Sequence, residues 1–399
     1  MRTDLNFDIM KIMNTVKVSR IAEKKIKQGI CVLDGADFAG LRWTDTEVNL
    51  VSERGSFLGT AYLSQQNKGI GWLVSRESID LNQSFFESIL RQAKLKRQHF
   101  KDSATTTAYR VFNQDGDGFG GLSIERYNDY AVFSWYNPFV YSIKEKIVEA
   151  FRAVYPEILG AYEKIRFKGL AYEAAHLYGQ KAPDTFSILE NGVTYQVFLN
   201  DGLMTGIFLD QHDVRASLVD GLAAGKTVLN MFSYTAAFSV AAAIGGASQT
   251  TSVDLAKRSR ELSAAHFLAN SLPMDRHQLV VMDVFDYFKY AKRHGLSFDV
   301  IVLDPPSFAR NKKQTFSVAK DYHKLIAQSV EILSSGGIII ASTNASNVNP
   351  DRFKREIEKG LAGVKHQYLA SHRLPSDFVY NKNDESSNYL KVFTIQVQK

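Results

Sequence analysis

The stretch from Lys226 to Phe308 constrains this chain most, because it alternates short apolar strands with helices. The pattern predicts strands over Thr227 to Phe232, Thr250 to Val253, Gln278 to Met282 and Asp299 to Leu303. Small residues from Ala237 to Ile244 predict a helix that Gly245-Gly246 stops. Such alternation implies a parallel sheet covered on both faces. Ligands of such sheets sit beyond the carboxyl ends of the strands. The second, third and fourth strands run into Asp254, Asp283 and Asp304, which brings three carboxylates to that edge. Each alone reads equally as a helix N-cap. Three in register, the last opening Asp304-Pro305-Pro306-Ser307-Phe308, point to a binding site.

The residue types suit a definite chemistry. A carboxylate accepts two hydrogen bonds from a cis-diol. Consecutive prolines fix an extended turn that cannot fold back into helix. Their carbonyls stay open to an exocyclic amine or a ring N–H, and Phe308 offers a face to a base.

These residues resemble the class I S-adenosylmethionine-dependent methyltransferases. In that resemblance Asp254 holds the cofactor ribose, Asp283 lies beside the adenine, and Asp304 to Phe308 match the Asp-Pro-Pro-aromatic motif of nucleic-acid base methylases. The first turn departs from the family, with Ala236-Ala237 where glycines are usual. The run Thr205-Gly206-Ile207-Phe208-Leu209-Asp210-Gln211-His212-Asp213 is similar to one that lines the cofactor cleft in large-subunit ribosomal RNA methyltransferases of the RlmI/RlmK type; His212 replaces an Arg. Without the resemblance, Asp210 reads as an N-cap for the helix carrying Val214 and Leu218. The resemblance implies cofactor contacts from Asp210, Gln211, Arg215, Asn230, Phe232, Tyr234, Thr235, Asp254, Asp283, Val284 and Asp304. It implies a catalytic set of Asp304, Pro305, Pro306, Phe308 and Asn344, with no metal.

The resemblance covers nearly the whole chain and implies three parts. Residues 1–75 match a β-rich, PUA-like RNA-binding domain, mainly by position. Residues 76–185 form a middle α+β domain and 186–399 a Rossmann-like seven-stranded methyltransferase domain, an α/β fold overall. A helix is expected from Ile79 to about Lys101; its second half carries Arg91, Lys94, Lys96, Arg97 and Lys101, read either as a solvated face or as phosphate contacts. Gly116-Asp117-Gly118-Phe119-Gly120-Gly121 contains Gly-x-Gly-x-x-Gly, but a hairpin with an Asn128-Asp129 turn follows it, so a dinucleotide site is rejected. Gly221 to Thr227 mimics a P-loop one residue short and precedes its strand, so it reads as helix end, turn and strand start. A helix over Ile143 to Tyr155, a strand over Lys164 to Phe167 and a hairpin around Asn191-Gly192 follow from local pattern. The last strands, near Gln367 to Ser371 and Leu390 to Val397, suit an antiparallel edge.

Composition sets outer bounds. The single cysteine, Cys31, excludes a disulfide framework within one chain. No apolar run approaches the ~18 residues of a membrane span, and no signal pattern opens the chain, so the expectation is a cytoplasmic protein without a membrane. The charge excess of 48 − 42 = +6 permits an anionic partner without demanding one.

The expected function is methyl transfer from S-adenosylmethionine to a base of ribosomal RNA; a homodimer is left open. The base must be unpaired or flipped to enter the cleft. Cytosine C5 would need a thiolate. In the cytosine-C5 relatives a cysteine ends the fifth strand, where Ala341-Ser342-Thr343-Asn344 places Asn344, so a nitrogen, for example of guanine, is the expected acceptor. The alternatives are a methyltransferase of a protein or small molecule, and a catalytically silent RNA-binding protein.

Overall fold

The computed structural model describes residues 14–38, 45–310 and 315–399. Near the N-terminus a five-stranded sheet runs in the order Asn14–Lys17, Thr46–Val51, Phe57–Gln66, Gly69–Ser75, Val32–Leu33. A helix absent from the sequence reading, Arg20–Lys27, packs Ala22 and Ile26 against Leu33, Leu50 and Leu63. Its start is local: Ser19 accepts from the Ala22 amide.

A second five-stranded sheet follows, in the order Ala174–Gly179, Gly160–Ile165, Tyr130–Trp135, Leu122–Tyr127, Ala108–Asn113. The helices Gln83–Lys96 and Lys144–Val154 cover it, burying Phe86, Leu90, Ile147 and Phe151 on Phe112 and Phe133. The glycine-rich loop before Leu122 serves a close approach: a Cβ on Gly120 would lie 2.1 Å from the Trp72 ring. Tyr62 also donates to the Gly120 carbonyl at 2.8 Å. The loop therefore joins the two sheets, and the hairpin expected after it is present, with Asn128 at φ +53°.

The basic half of the long helix needs correction. Arg97 is 1% exposed and pairs with Asp117 at 2.6 Å. Lys96 also reaches Asp117, Lys94 reaches Glu157, and Arg91 reaches Glu87. Arg97 is thereby removed from either reading, while Arg91, Lys94 and Lys96 carry ion pairs within this chain and Lys101 is exposed.

The third sheet has seven strands: β1 (Thr227–Met231), β2 (Gln249–Asp254), β3 (His277–Val281), β4 (Phe298–Leu303), β5 (Leu333–Thr343), β6 (Lys365–His372) and β7 (Lys391–Gln398). Their order is β3-β2-β1-β4-β5-β7-β6. The first five are mutually parallel, and β7 runs antiparallel to both neighbours. Alternate residues supply two cores. Val300 and Val302 of β4 pack with α1 (Ala237–Ile244) and α2 (Lys257–Ala269). Ile301 and Leu303 pack with α3 (Val284–Arg293), α4 (Val318–Ile332) and α5 (Pro350–Gly360). The first of these cores also takes Tyr127 and Val132 of the second sheet and Tyr195 of the hairpin Phe186–Glu190/Val193–Val197, so the two sheets share buried surface.

Candidate active site

A cavity of about 370 Å3 opens at the carboxyl edge of β2, β1, β4 and β5. The loop after β1 shapes its floor. Phe232, Tyr234 and Ala236 all hold left-handed backbone, with φ of +57°, +48° and +61°. Such conformations favour glycine and cost roughly 1–2 kcal/mol each in other residues. Two contacts hold the loop in place. The Ser233 amide donates to Val253 at 3.0 Å, and the Tyr234 amide to Asp254 Oδ2 at 2.9 Å. Ala236 thus occupies a conformation for which the family's glycine is suited.

Asp254 ends β2, and its Oδ1 also accepts from the Ala256 amide at 2.9 Å. Oδ1 also accepts from the Ser259 hydroxyl at 3.4 Å, and Oδ2, with the Tyr234 amide, keeps a lone pair for a diol. Asp283 begins α3, accepting from the Phe285 and Asp286 amides, so its N-cap role and its place on the cavity wall coexist.

Asp304 ends β4. It accepts from Gln211 Nε2 at 3.1 Å, and Gln211 also donates to Ser342 at 2.8 Å. Burial raises the Asp304 carboxyl; the Ser342 hydroxyl opposes that, the Asp210 charge adds to it, and the result is about 6. Asp210 is not an N-cap: it lies in a short turn before the helix and accepts from the Tyr389 hydroxyl at 2.9 Å. Burial raises its carboxyl also. Asn344 follows β5, and its Oδ1 accepts from Ser307 at 2.9 Å.

The wall therefore unites Asp210, Gln211, Phe232, Tyr234, Asp254 and Asp283 with Val284, Asp304, Pro305, Pro306 and Asn344. Four expected residues lie outside it. Arg215 is spent on Glu190, at 2.6 and 2.7 Å, and on the Phe208 carbonyl. Asn230 turns inward to Ser239, and Thr235 donates to the Gly206 carbonyl. Phe308 is 61% exposed on a rim hairpin, Phe308–Arg310 with Thr315–Ser317. Asn311, Lys312 and Lys313 lie outside the described residues, as does the side chain of Arg310. Phe208 of the run from Thr205 to Asp213 lines it too, and Met204, Leu255, Phe285 and Phe316 add apolar wall that the motifs did not indicate.

S-adenosylmethionine combines two cations, a diol and a flat base, and this cavity fits it. Asp210 and Asp304 offer negative charge beside Gln211, whose Oε1 is buried without a hydrogen-bond partner among the described residues. An orphaned acceptor there suits a cationic donor. Asp254 stands on the other side of β1, and Val284, Phe285 and Phe316 give an apolar surface for a ring.

A second cavity, about 610 Å3, lies between the middle and C-terminal sheets and shares Met204, Phe208, Asp210 and Asn344 with the first.

Comparison with known proteins agrees with this geometry. Residues 165–378 match the family described as S-adenosylmethionine-dependent methyltransferase, and residues 16–76 match a PUA-like domain. The chain is 42% identical over 397 residues to the Bacillus subtilis protein named "Putative ribosomal RNA large subunit methyltransferase YwbD", covering 97% of this chain and 100% of that one. It is 32% identical to ribosomal RNA large subunit methyltransferase I of Photobacterium profundum, covering 88% and 90%. The crystal structure of SMU.776 complexed with SAH superposes with a TM-score of 0.94 at 62% identity, over 96% of this chain and 100% of that one. By sequence and by fold, the chain belongs to the S-adenosylmethionine-dependent methyltransferases and carries a PUA-like domain near its N-terminus.

Proposed function

We propose that this methyltransferase modifies a base of large-subunit ribosomal RNA, at a ring or exocyclic nitrogen rather than cytosine C5. The observation that carries the reading is the junction of the two cavities. Asp304, Pro305 and Asn344 line the cofactor-sized cavity, and Asn344 and Asp210 open onto the larger one. A base presented through the larger cavity meets acceptors and an amide at that junction. The names of the relatives supply the RNA class. Residues 1–75, 76–185 and 186–399 act in this reading as RNA-binding, middle and catalytic domains of a cytoplasmic enzyme.

When bound, S-adenosylmethionine supplies an electrophilic methyl group on a sulfonium. The protein's work is then positioning. Asp304 and the Pro305 carbonyl accept from the base edge, Asn344 fixes its orientation, and Phe308 on the rim is placed to stack. With its carboxyl raised to about 6, Asp304 is ionised at neutral pH yet basic enough to take a ring proton. Thiolate catalysis has little support. Cys31 lines neither cavity, contacts the Gly29 carbonyl and Asn381, and burial pushes its thiol up to about 11.

The test is methylation of deproteinised ribosomal RNA with labelled cofactor, followed by nucleoside mass analysis. An N-methylated nucleoside is expected. Finding 5-methylcytosine, or a covalent adduct with 5-fluorocytosine RNA, would overturn the nitrogen assignment.

A further inference from the structure

Lys164 and Arg166 present an uncompensated charge on the wall of the larger cavity. Lys164 is 0% exposed. Its Nζ donates to the carbonyls of Leu199 and Gly202, both at 2.6 Å. Arg166, one residue beyond the strand end at Ile165, donates through one amino group to the Leu203 carbonyl at 2.9 Å. Its Nε is buried without a hydrogen-bond partner among the described residues. Neither cation forms an ion pair among the described residues. Glu125, the wall carboxylate whose charge acts on Lys164, is held by Arg110 at 2.9 Å and by the Tyr127 hydroxyl at 3.0 Å.

Burying an ammonium against carbonyls alone is expensive. Burial and the neighbouring Arg166 accordingly push the Lys164 ammonium down to about 8. Lys164 is closed to solvent, so it contributes charge rather than a contact, whereas half-buried Arg166 uses one amino group on Leu203 and keeps the other for a ligand. The wall thus holds positive charge neutralised by backbone carbonyls alone, with an Arg166 amino group to spare. The junction at Asp304 and Asn344 is the reverse, rich in acceptors. A nucleotide has this polarity: a base edge with donors at one end and a dianionic or monoanionic phosphate at the other. A cavity of about 610 Å3 has room for one.

We propose that Arg166, with the Lys164 charge behind it, binds a phosphate of the target nucleotide while its base reaches Asn344 and Asp304, so that the middle sheet supplies the anchor and the C-terminal sheet the chemistry. This rests on the RNA reading above. Arg166 offers the fork geometry that phosphate favours, and Lys164 a fixed point charge.

The experiment compares wild type, Arg166→Gln and Lys164→Met on a large-subunit ribosomal RNA transcript. It measures kcat/KM for methylation, SAH affinity, melting temperature and the dependence of RNA affinity on salt. Arg166→Gln is expected to lower kcat/KM at least tenfold, chiefly through KM. SAH affinity should stay within twofold, melting should not change, and the salt slope should fall by about one. Lys164→Met should act in the same direction; if it fails to fold, Arg166→Gln alone decides. A wild type that methylates no ribosomal RNA sinks the RNA reading and this site with it. A wild type that methylates while Arg166→Gln matches it in KM and salt slope sinks the phosphate site alone.

Discussion

His212 Nε2 and Asp377 Oδ1 lie 2.9 Å apart, although 165 residues separate them in the chain. Asp377 is fully buried, and it also accepts from the Arg110 amide at 2.8 Å. On its other side the His212 ring meets Asp213 at 3.0 Å. Burial lowers the imidazolium, but the two carboxylates outweigh it and raise His212 to about 10. The folded value lies above the unfolded one, so the charge stabilises fully below about 6.5 and the contribution fades as pH rises towards 10. His212→Gln is expected to cost roughly 3 kcal/mol at pH 6.5, because it strands a buried carboxylate. His212→Arg, the residue usual in the family run, should keep stability and flatten its decline between pH 7 and 10. Urea melts across that range would check both.

Cofactor affinity should depend on Asp254. Its removal deletes a charged acceptor and releases the Tyr234 amide that steadies the left-handed loop. Asp254→Ala should weaken binding by some tens- to a hundred-fold, about 2–3 kcal/mol. Calorimetry giving affinity within twofold of wild type would rule out the ribose role.

Asp304 should make that affinity pH-dependent. Its carboxyl is raised to about 6, so it loses its charge as pH falls through that value. S-adenosylmethionine binding should weaken roughly tenfold per pH unit below 6 if the charge is required. The uncompensated carboxylate should also lower the stability of the ligand-free protein as pH rises from about 4 to 6. Asp304→Asn should flatten the binding profile; titrations from pH 5 to 8 read it directly.

Arg97 should govern stability and not RNA binding. It donates to Asp117, to the Ala93 carbonyl and, at 2.8 Å, to the Asp377 carbonyl. Arg97→Met is expected to cost roughly 3 kcal/mol. Denaturation curves should shift while the salt slope of RNA binding stays as in wild type. By contrast, Lys312→Ala with Lys313→Ala should lower that slope by about two if both touch phosphates.

What could be read from the sequence divides along physical lines. The strands that end at Asp254 and Asp304 were legible because parallel, doubly covered strands are continuous apolar runs with abrupt ends. The fold class and the acceptor edge followed. Arg20–Lys27 was missed because only Ala22 and Ile26 mark its buried face over eight residues. The strand Ala174–Gly179 was missed because all but its last residue are half-buried, so no alternation marks it. Arg97 was misread as a surface cation because its partner Asp117 sits on another element. The same limit applies at the site. Thr235 stands beside the lining Tyr234 and Arg215 one helical turn after Gln211, yet loop and helix aim both inward. Phe285 and Phe316 line it from segments without any motif.

The bond from Arg97 to the Asp377 carbonyl spans 280 residues. A chain emerging from the ribosome at about 5–20 residues per second reaches residue 377 some 15–55 s after residue 97. Throughout that interval the guanidinium has Asp117 but lacks its last acceptor, and the second sheet lacks the loop that closes over it. The nascent protein must therefore persist as an incompletely locked intermediate while its C-terminal sheet is made, and chaperone demand should concentrate in that window.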